Sequence, residues 1–489
     1  MQPNASEAEV AGFRLRTEPD SRPNPRVKSR PGRSLVLSVA LALFALAGLS
    51  HDLETAYWVW QREDPLNETE LAELSAQNVH TIYWQVGELE NVGETWRWKA
   101  RFAFPARDKS DIRYVPVVRL VSRQLQPFSA TSLSSLIVAL SPLTAKCDEL
   151  QLDYDAPDRL LSDYAAALKR IHQIVPRLTI TALPHWSRND CLSLLEPNID
   201  ELFPMLYDFE PQPLLKQDAL SPLIDPKKME KMLSDWSRCH KPWRAGLPVF
   251  ARLTLYDANG KSRGQIRNWN WDELCFNATL ENIGADRLGT TVFRVGKSTS
   301  VSNTPLHVGD QLAVRRVGRV VLQNAIAAAR QTTAHGVVLF RLPDSTAGSG
   351  WSLTQVGHLD SKPELILRKS DSSETLEIQN RGDGDLEPGF TTRKGEDRGY
   401  ILELKASTPI FREAEPGDFF ATVAYTESDG ARKAVAVPFA TRIAFKFTHL
   451  QARQRLRSGL IQLAPGADFR QIRYQIRNIE GGTSWKPIE

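Results

Sequence analysis

The stretch Asp148-Glu149-Leu150-Gln151-Leu152-Asp153-Tyr154-Asp155-Ala156-Pro157 decides how this chain is read. Side chains alternate across a β-strand, so Gln151, Asp153 and Asp155 fall on one face and Leu150, Leu152 and Tyr154 on the other. Pro157 suits the first turn of a helix. Beyond it Leu160, Leu161, Tyr164, Leu168, Ile171 and Val175 recur at three- and four-residue spacing, one apolar helical face. A strand with polar groups on one face, followed at once by an amphipathic helix, is a single β/α unit. Its two carboxylates stand at the C-terminal end of the strand, where parallel barrels carry their chemistry. Like charges that close raise each other's pKa, dividing a protonated acid from an ionised partner. Plainer readings stay open. Asp155 would serve as a cap for the helix, Asp153 as partner to an arginine, or the pair as ligands of a divalent cation.

Seven similar runs surround this one: Ala56 to Gln61, Thr81 to Val86, Arg113 to Leu120, Leu178 to Leu183, Leu202 to Tyr207, Ala245 to Ala251 and Val337 to Leu342. Eight β-branched and aromatic runs separated by helical or irregular connectors predict an α/β chain, a (β/α)8 TIM-type barrel over residues 51–360. No Gly-rich phosphate loop follows the first run, which speaks against an open doubly wound sheet. The longest connector, Arg252 to His335, precedes the eighth run and holds β-like pieces at Gly289 to Val295 and Gln311 to Val320. Such an insertion sits over the C-terminal face of a barrel. After Ser361 the pattern becomes alternating strands with turn signals and no long helix, which predicts a β-sandwich over 361–450. A basic segment, 451–489, adds one further strand.

The 61 basic and 58 acidic side chains nearly balance, so no broad basic surface is available for nucleic acid. Their placement is more telling. Residues 1–33 hold seven basic and four acidic groups and so account for the whole net charge. This Pro-rich stem runs into Leu35 to Leu49, which carries no charge. Residues 34–50 therefore read as a membrane-targeting segment, a signal anchor or a cleaved signal peptide. As an anchor it predicts a single-pass inner-membrane protein whose globular part lies in the periplasm or otherwise outside the cytoplasm. Cys147, Cys191, Cys239 and Cys275 all follow the segment. Export permits disulfides, with three pairings open. Their spacing suggests no metal site, and nothing in the chain suggests a cofactor.

The strand-four motif resembles that of the family 18, chitinase-like glycoside hydrolases. Asp148, Gln151, Asp153 and Asp155 occupy its four positions, D-x-x-D-x-D-x-E in the family. Met205-Leu206-Tyr207-Asp208 matches a second element at strand six, and Gly336 to Phe340 looks like the last strand, with Phe340 in place of Trp. The layout also resembles a bacterial family of exported barrel proteins, for which resemblance supplies no activity. The chitinase-like resemblance implies that Asp155 donates a proton, that Asp153 orients a substrate acetamido group for attack on the anomeric carbon, and that Tyr207 holds that group's oxygen. Gln151, Met205 and Asp208 would line the substrate site. Asp155 is one methylene shorter than the family's Glu, and Gln151 removes one carboxylate from the stack.

Ten of twelve tryptophans fall between Trp58 and Trp271, so the barrel rather than the sandwich holds the capacity to stack on sugar rings. Trp60, Trp84 and Trp186 lie at or beyond strand ends, and core packing is the competing reading. Arg62, Arg119, Arg252 and Arg341 also fall near strand ends. Four guanidinium groups around one cleft suit an anionic glycan; pairing with Asp153, Asp155, Asp208 or Glu88 is the structural alternative. The expected protein is a membrane-anchored glycoside hydrolase-like barrel acting on an envelope or exported polysaccharide. A noncatalytic glycan-binding or envelope-assembly protein on the same scaffold is the second reading.

Overall fold

The computed structural model describes residues 52–105, 111–208, 214–215, 221–285, 288–343, 350–370, 374–389, 399–428, 430–478 and 481–489. Segments 1–33 and 34–50, with the expected membrane helix, lie outside the described residues. Among the described residues no helix is long and apolar enough to cross a membrane.

Eight parallel strands form the barrel: β1 (Glu54–Val59), β2 (Thr81–Val92), β4 (Arg113–Ser122), β5 (Glu149–Asp153), β6 (Arg177–Ala182), β7 (Glu201–Pro204), β8 (Arg244–Pro248) and β16 (Gly336–Phe340). Their spatial order is β7-β6-β5-β4-β2-β1-β16-β8. Two isolated parallel bridges, Leu202 to Trp243 and Met205 to Gly246, bring the ends of that order together. Each of the eight expected runs supplies one strand. The departure from a full (β/α)8 plan lies between β2 and β4. There the described residues hold no helix but an antiparallel strand, β3 (Thr95–Arg101), hairpinned onto an extended β2.

Strand alternation produces two layers. Outward residues such as Leu150, Leu152, Leu178 and Ile180 pack under the helices in the main core. The helix Leu161–Ile171 buries Leu161, Tyr164, Leu168 and Ile171, the face expected from its periodicity. Each such side chain contributes roughly 1.5–3 kcal/mol on leaving water. Inward residues Ala56, Trp58, Tyr83, Val115, Val117, Phe203 and Val338 form a separate cluster that fills the barrel. Trp58 occupies its centre and donates from Nε1 to Gln151 Oε1 at 2.6 Å.

Gly246 makes room for that ring: a Cβ there would stand 2.9 Å from the Pro204 carbonyl oxygen and 3.1 Å from the Trp58 ring. Gly246→Ala is therefore expected to destabilise the protein by about 1–3 kcal/mol through overpacking. An unchanged urea midpoint for that variant would show that the barrel filling yields freely.

Charges close the floor of the barrel. Glu149 pairs with Arg113 (2.5 Å) and Arg177 (3.2 Å), while Glu201 pairs with Arg177 (2.5 Å) and Arg244 (2.8 Å). Arg244 also reaches Glu54 at 2.6 Å. Buried ions at this end require such partners, and the rim that carries Asp153 and Asp155 is at the opposite end.

The insertion between β8 and β16 is a sheet with its own core. Strands β9 (Ala251–Tyr256), β10 (Ser262–Ile266), β11 (Leu280–Ala285), β12 (Thr290–Val295) and β15 (Gln311–Arg316) run in the order β10-β9-β15-β12-β11. The hairpin β13 (Thr299–Val301) and β14 (Thr304–Leu306) completes it. Leu253, Trp269, Phe293 and Leu312 are among its buried residues. The helix Arg319–Ala329 then returns the chain to the barrel.

Beyond residue 361 come separate antiparallel sheets around a shared core that includes Leu367, Leu402, Phe445 and Tyr474. Ala431–Ala434 is an edge strand and Val437–Phe439 is a 3-10 turn, because Pro438 has no N–H to give a ladder. Segment 451–489 is no appendage: Arg473–Asn478 pairs along the length of Tyr400–Lys405. All four cysteines are free thiols, so none of the three conceivable disulfide pairings is formed.

Candidate functional site

The C-terminal rim is built from the strand ends. Asp153 closes β5 and is buried, with Oδ1 accepting from Thr181 Oγ1 at 2.8 Å and Oδ2 lying 3.8 Å from Arg119 Nε. Arg119 stands at the same 3.8 Å from Glu88, which binds Lys99 at 2.7 Å. Both Arg119 contacts are ion pairs at a distance beyond direct hydrogen bonding. Burial, then the Asp155 charge, pushes the Asp153 carboxyl up to about 6 against the opposing pull of Thr181 and Arg119. Asp155 is exposed at the mouth, yet the surrounding protein desolvates its carboxyl enough to raise its pKa, with Arg119 opposing.

Asp155 does not cap a helix. The turn Asp158–Leu160 and the helix Leu161–Ile171 both begin without a side-chain cap. Among the described residues the Asp155 carboxylate has no hydrogen bond or ion pair. It is a free acid beside a buried one, which leaves the pair's chemistry open to a ligand.

Tyr207 lies across the rim, stacked on Phe340 with ring centres 5.8 Å apart and planes at 17°, and edge-on to Phe250. Burial raises its pKa, and the charges of Asp153 and Asp155 add to the effect. Its hydroxyl has no partner among the described residues. Gln151 is fully buried beneath Asp153, held by Trp58 and by Thr179 at 3.4 Å. It supports the pair from below and is not on the cleft wall, contrary to the expected direct contact with substrate. Met205 packs against the barrel filling beside the bridge to Gly246.

Asp208 adopts a φ of +51° and faces two arginines of the insertion, Arg252 and Arg315. Those two residues are directly opposed on β9 and β15, where like charges repel. Asp208 relieves that repulsion and ties the insertion to the end of β7. Burial and the neighbouring Arg315 push Arg252 down to about 10, which leaves it charged at neutral pH. Asp208→Asn keeps the left-handed conformation accessible and removes the charge. It is expected to cost roughly 3 kcal/mol, as when one partner of a buried pair is lost. A difference below about 0.5 kcal/mol in denaturant unfolding would remove this role.

Beside the pair lies a cavity of about 350 Å³ between the barrel rim and the insertion. Trp60, Phe250 and Phe340 supply aromatic wall, and Arg119, Arg252, Arg267 and Arg341 supply charge. Neither Asp153 nor Asp155 is part of the lining; Arg119 spans from the cavity to Asp153. The Phe340–Arg341 peptide at this wall is cis.

Three expected positions lie elsewhere. Trp84 is buried under the helices and donates to the Ala103 carbonyl at 2.9 Å, because β2 turns Tyr83 and Gln85 inward. Trp186 is fully buried in a 3-10 turn beside Tyr164. Arg62 makes a bidentate pair with Glu70 at 2.7 Å for both bonds and also binds the carbonyls of Asp64 and Pro65. These three serve packing and loop structure, not the cleft. Arg267, Phe250 and Arg315 are site residues that the sequence reading passed over. Phe250 lies two residues before Arg252, and Arg267 two before Trp269.

Taken together, the nearly closed parallel sheet and the carboxylates at its rim define a glycosidase-like barrel. The solved structures that this chain is similar to are chitinases and chitinase-like proteins. A chitinase from Chromobacterium violaceum matches at a TM-score of 0.42 and 12% identity, over 61% of this chain and 96% of that one. The spore cortex-lytic enzyme SleL of Bacillus cereus matches at 0.41 and 12%, over 62% and 73%. Human YKL-39, described as a pseudo-chitinase with retained chitooligosaccharide binding properties, matches at 0.37 and 10%, over 60% and 93%. No family model and no curated protein sequence matches the chain. The fold assignment itself rests on the strand order and register above.

Proposed function

We propose that this protein is a membrane-anchored glycoside hydrolase that acts on an envelope or exported polysaccharide. Asp155 is its proton donor and Asp153 the partner that steadies developing positive charge or orients the substrate. The observation that carries this reading is the carboxylate pair: two acids at one strand end, both raised in pKa, close enough to Tyr207 to act on it and linked by Arg119 to an aromatic cavity. Glycosidic cleavage needs one carboxyl that keeps its proton and a second group that stabilises the oxocarbenium-like centre. Asp155, exposed and with no hydrogen bond or ion pair among the described residues, is open to present a proton to a ligand and suits the first task. Asp153, fixed by Thr181, suits the second. The uncharged run from Leu35 to Leu49 behind a net-positive stem supports the anchor.

A second reading has its own observation. The cavity is bounded by Arg119 but touches neither carboxylate, which favours a glycan-binding or envelope-assembly protein that no longer cleaves. One experiment separates the two. Cells producing the parent or Asp155→Asn chain are fractionated, and each fraction is assayed for reducing ends released from purified exported polysaccharides. Activity that sediments with membranes in the parent and vanishes in the variant supports the hydrolase. Equal release by both, or binding without release by either, overturns it. Activity found only in the soluble fraction removes the anchor.

A further inference from the structure

We infer that the cavity binds a sugar residue bearing an anionic group, with Arg267 and Arg341 as the pair that takes its oxyanion; that the ligand is a sugar rests on the glycan reading above. The argument begins from charge balance. The described residues lining the cavity include four arginines and no aspartate or glutamate. Two of the four have local counter-charges: Arg252 has Asp208, and Arg119 has Glu88 and Asp153. Arg267 and Arg341 have neither a hydrogen bond nor an ion pair among the described residues. Guanidinium does not lose its proton in proteins. Among the described residues the cleft therefore holds two positive charges with no counter-charge against apolar walls, an arrangement that concentrates potential inside the cavity.

The placement of the two arginines narrows the ligand. Arg267 follows β10, the edge strand of the insertion, whereas Arg341 follows β16 of the barrel. An anion bound by both is gripped from the two sides of the cleft. The planar fork of each guanidinium matches a group that offers two acceptor oxygens. Half-buried Trp60, edge-on to Phe340 at 5.7 Å, supplies an aromatic surface in the same cavity for the apolar face of a ring. A neutral sugar would use Trp60 and leave both charges unmet. A sugar carrying a uronic carboxylate, or a sulfate or phosphate ester, meets both demands. Arg119 then marks the direction in which the next sugar approaches Asp153.

The test is calorimetric titration of the full-length chain in detergent with a neutral, a uronate and a sulfated tetrasaccharide. The parent is expected to bind at least one anionic tetrasaccharide about tenfold or more tightly than the neutral one, with affinity that falls as salt rises. Arg267→Gln with Arg341→Gln is expected to weaken anionic binding about 10- to 100-fold, the range for lost hydrogen bonds to charge. Neutral binding should be unaltered. Each single variant should fall between. Neither arginine supports another described side chain, and a melting curve matching the parent confirms that the doubly substituted protein is folded. Preference for uronate or for sulfate distinguishes a sugar acid from an ester. Equal binding of neutral and anionic sugars, no binding of any anionic one, or unchanged anionic binding by the folded double variant overturns the inference. Arginine-dependent anionic binding without hydrolysis leaves it standing and removes the hydrolase. Hydrolysis confined to neutral glycans does the reverse.

Discussion

An Asp155→Asn protein is expected to retain its fold and its affinity for glycan while releasing reducing ends about 10²- to 10⁴-fold more slowly, the usual contribution of a positioned acid. Asparagine has nearly the same shape and no acidic proton. Because the Asp155 carboxylate has no partner among the described residues, the substitution breaks no described contact. The pH profile gives a second readout. Asp153 is pushed up to about 6, partly by the Asp155 charge, so the state in which the pair holds one proton persists into mildly acidic conditions. The parent rate should decline as pH rises through about 6. In Asp155→Asn, removal of the neighbouring charge should lower the Asp153 pKa, observable by NMR titration of its carboxyl carbon. A variant as fast as the parent would exclude Asp155 as the acid, and an unmoved Asp153 titration would exclude the interaction between them.

A comparable free-energy change is expected far from the cleft, at Glu403. This residue lies within the strand Tyr400–Lys405 and is fully buried. Its Oε1 accepts from Arg442 at 2.7 Å and from the Tyr425 hydroxyl, and its Oε2 from Gln475 and Arg477 at 2.8 Å each. Burial opposes ionisation, but these four bonds outweigh it and hold the carboxyl down at about 2 against an ordinary 4.5. Glu403→Ala removes the buried acceptor shared by Arg442, Tyr425, Gln475 and Arg477 and should cost about 3–5 kcal/mol. A folded pKa below the unfolded one means that the stabilisation is complete above about 4.5 and is lost as pH falls through about 2. The shift corresponds to about 3 kcal/mol. Urea unfolding at pH 7 and pH 3 measures both effects. If Glu403→Gln keeps the parent's acid sensitivity across that window, another group is responsible.

The strands were legible because buried parallel strands are short β-branched runs set between turns, and that pattern is local. The carboxylate pair was legible for the same reason: a period of two at the end of one strand places Asp153 inward without reference to any other segment. The same period accounts for a tryptophan that lies away from the cleft. Trp58 on β1 and Trp60 just past its end alternate inward, but on β2 the inward residues are Tyr83 and Gln85, which forces Trp84 under the helices. Arg62 was misplaced because a carboxylate eight residues further along reaches back to it. Arg315 depends on which strands of the insertion pair, and Arg244 finds Glu54 across 190 positions. Periodicity carries no information about contacts of that range.

The seam between β7 and β8 has a mechanical consequence. Its two strands meet through isolated bridges where the other barrel neighbours share continuous ladders, so the barrel is a split ring. One lip of the split continues into Tyr207 and Asp208, the other into Phe250 and Arg252. The Asp208–Arg252 ion pair is therefore a clasp across the gap, at the mouth of the cleft. The seam is thus fastened by charge at both ends, Glu201–Arg244 at the floor and Asp208–Arg252 at the mouth, where the other strand pairs are fastened by backbone ladders.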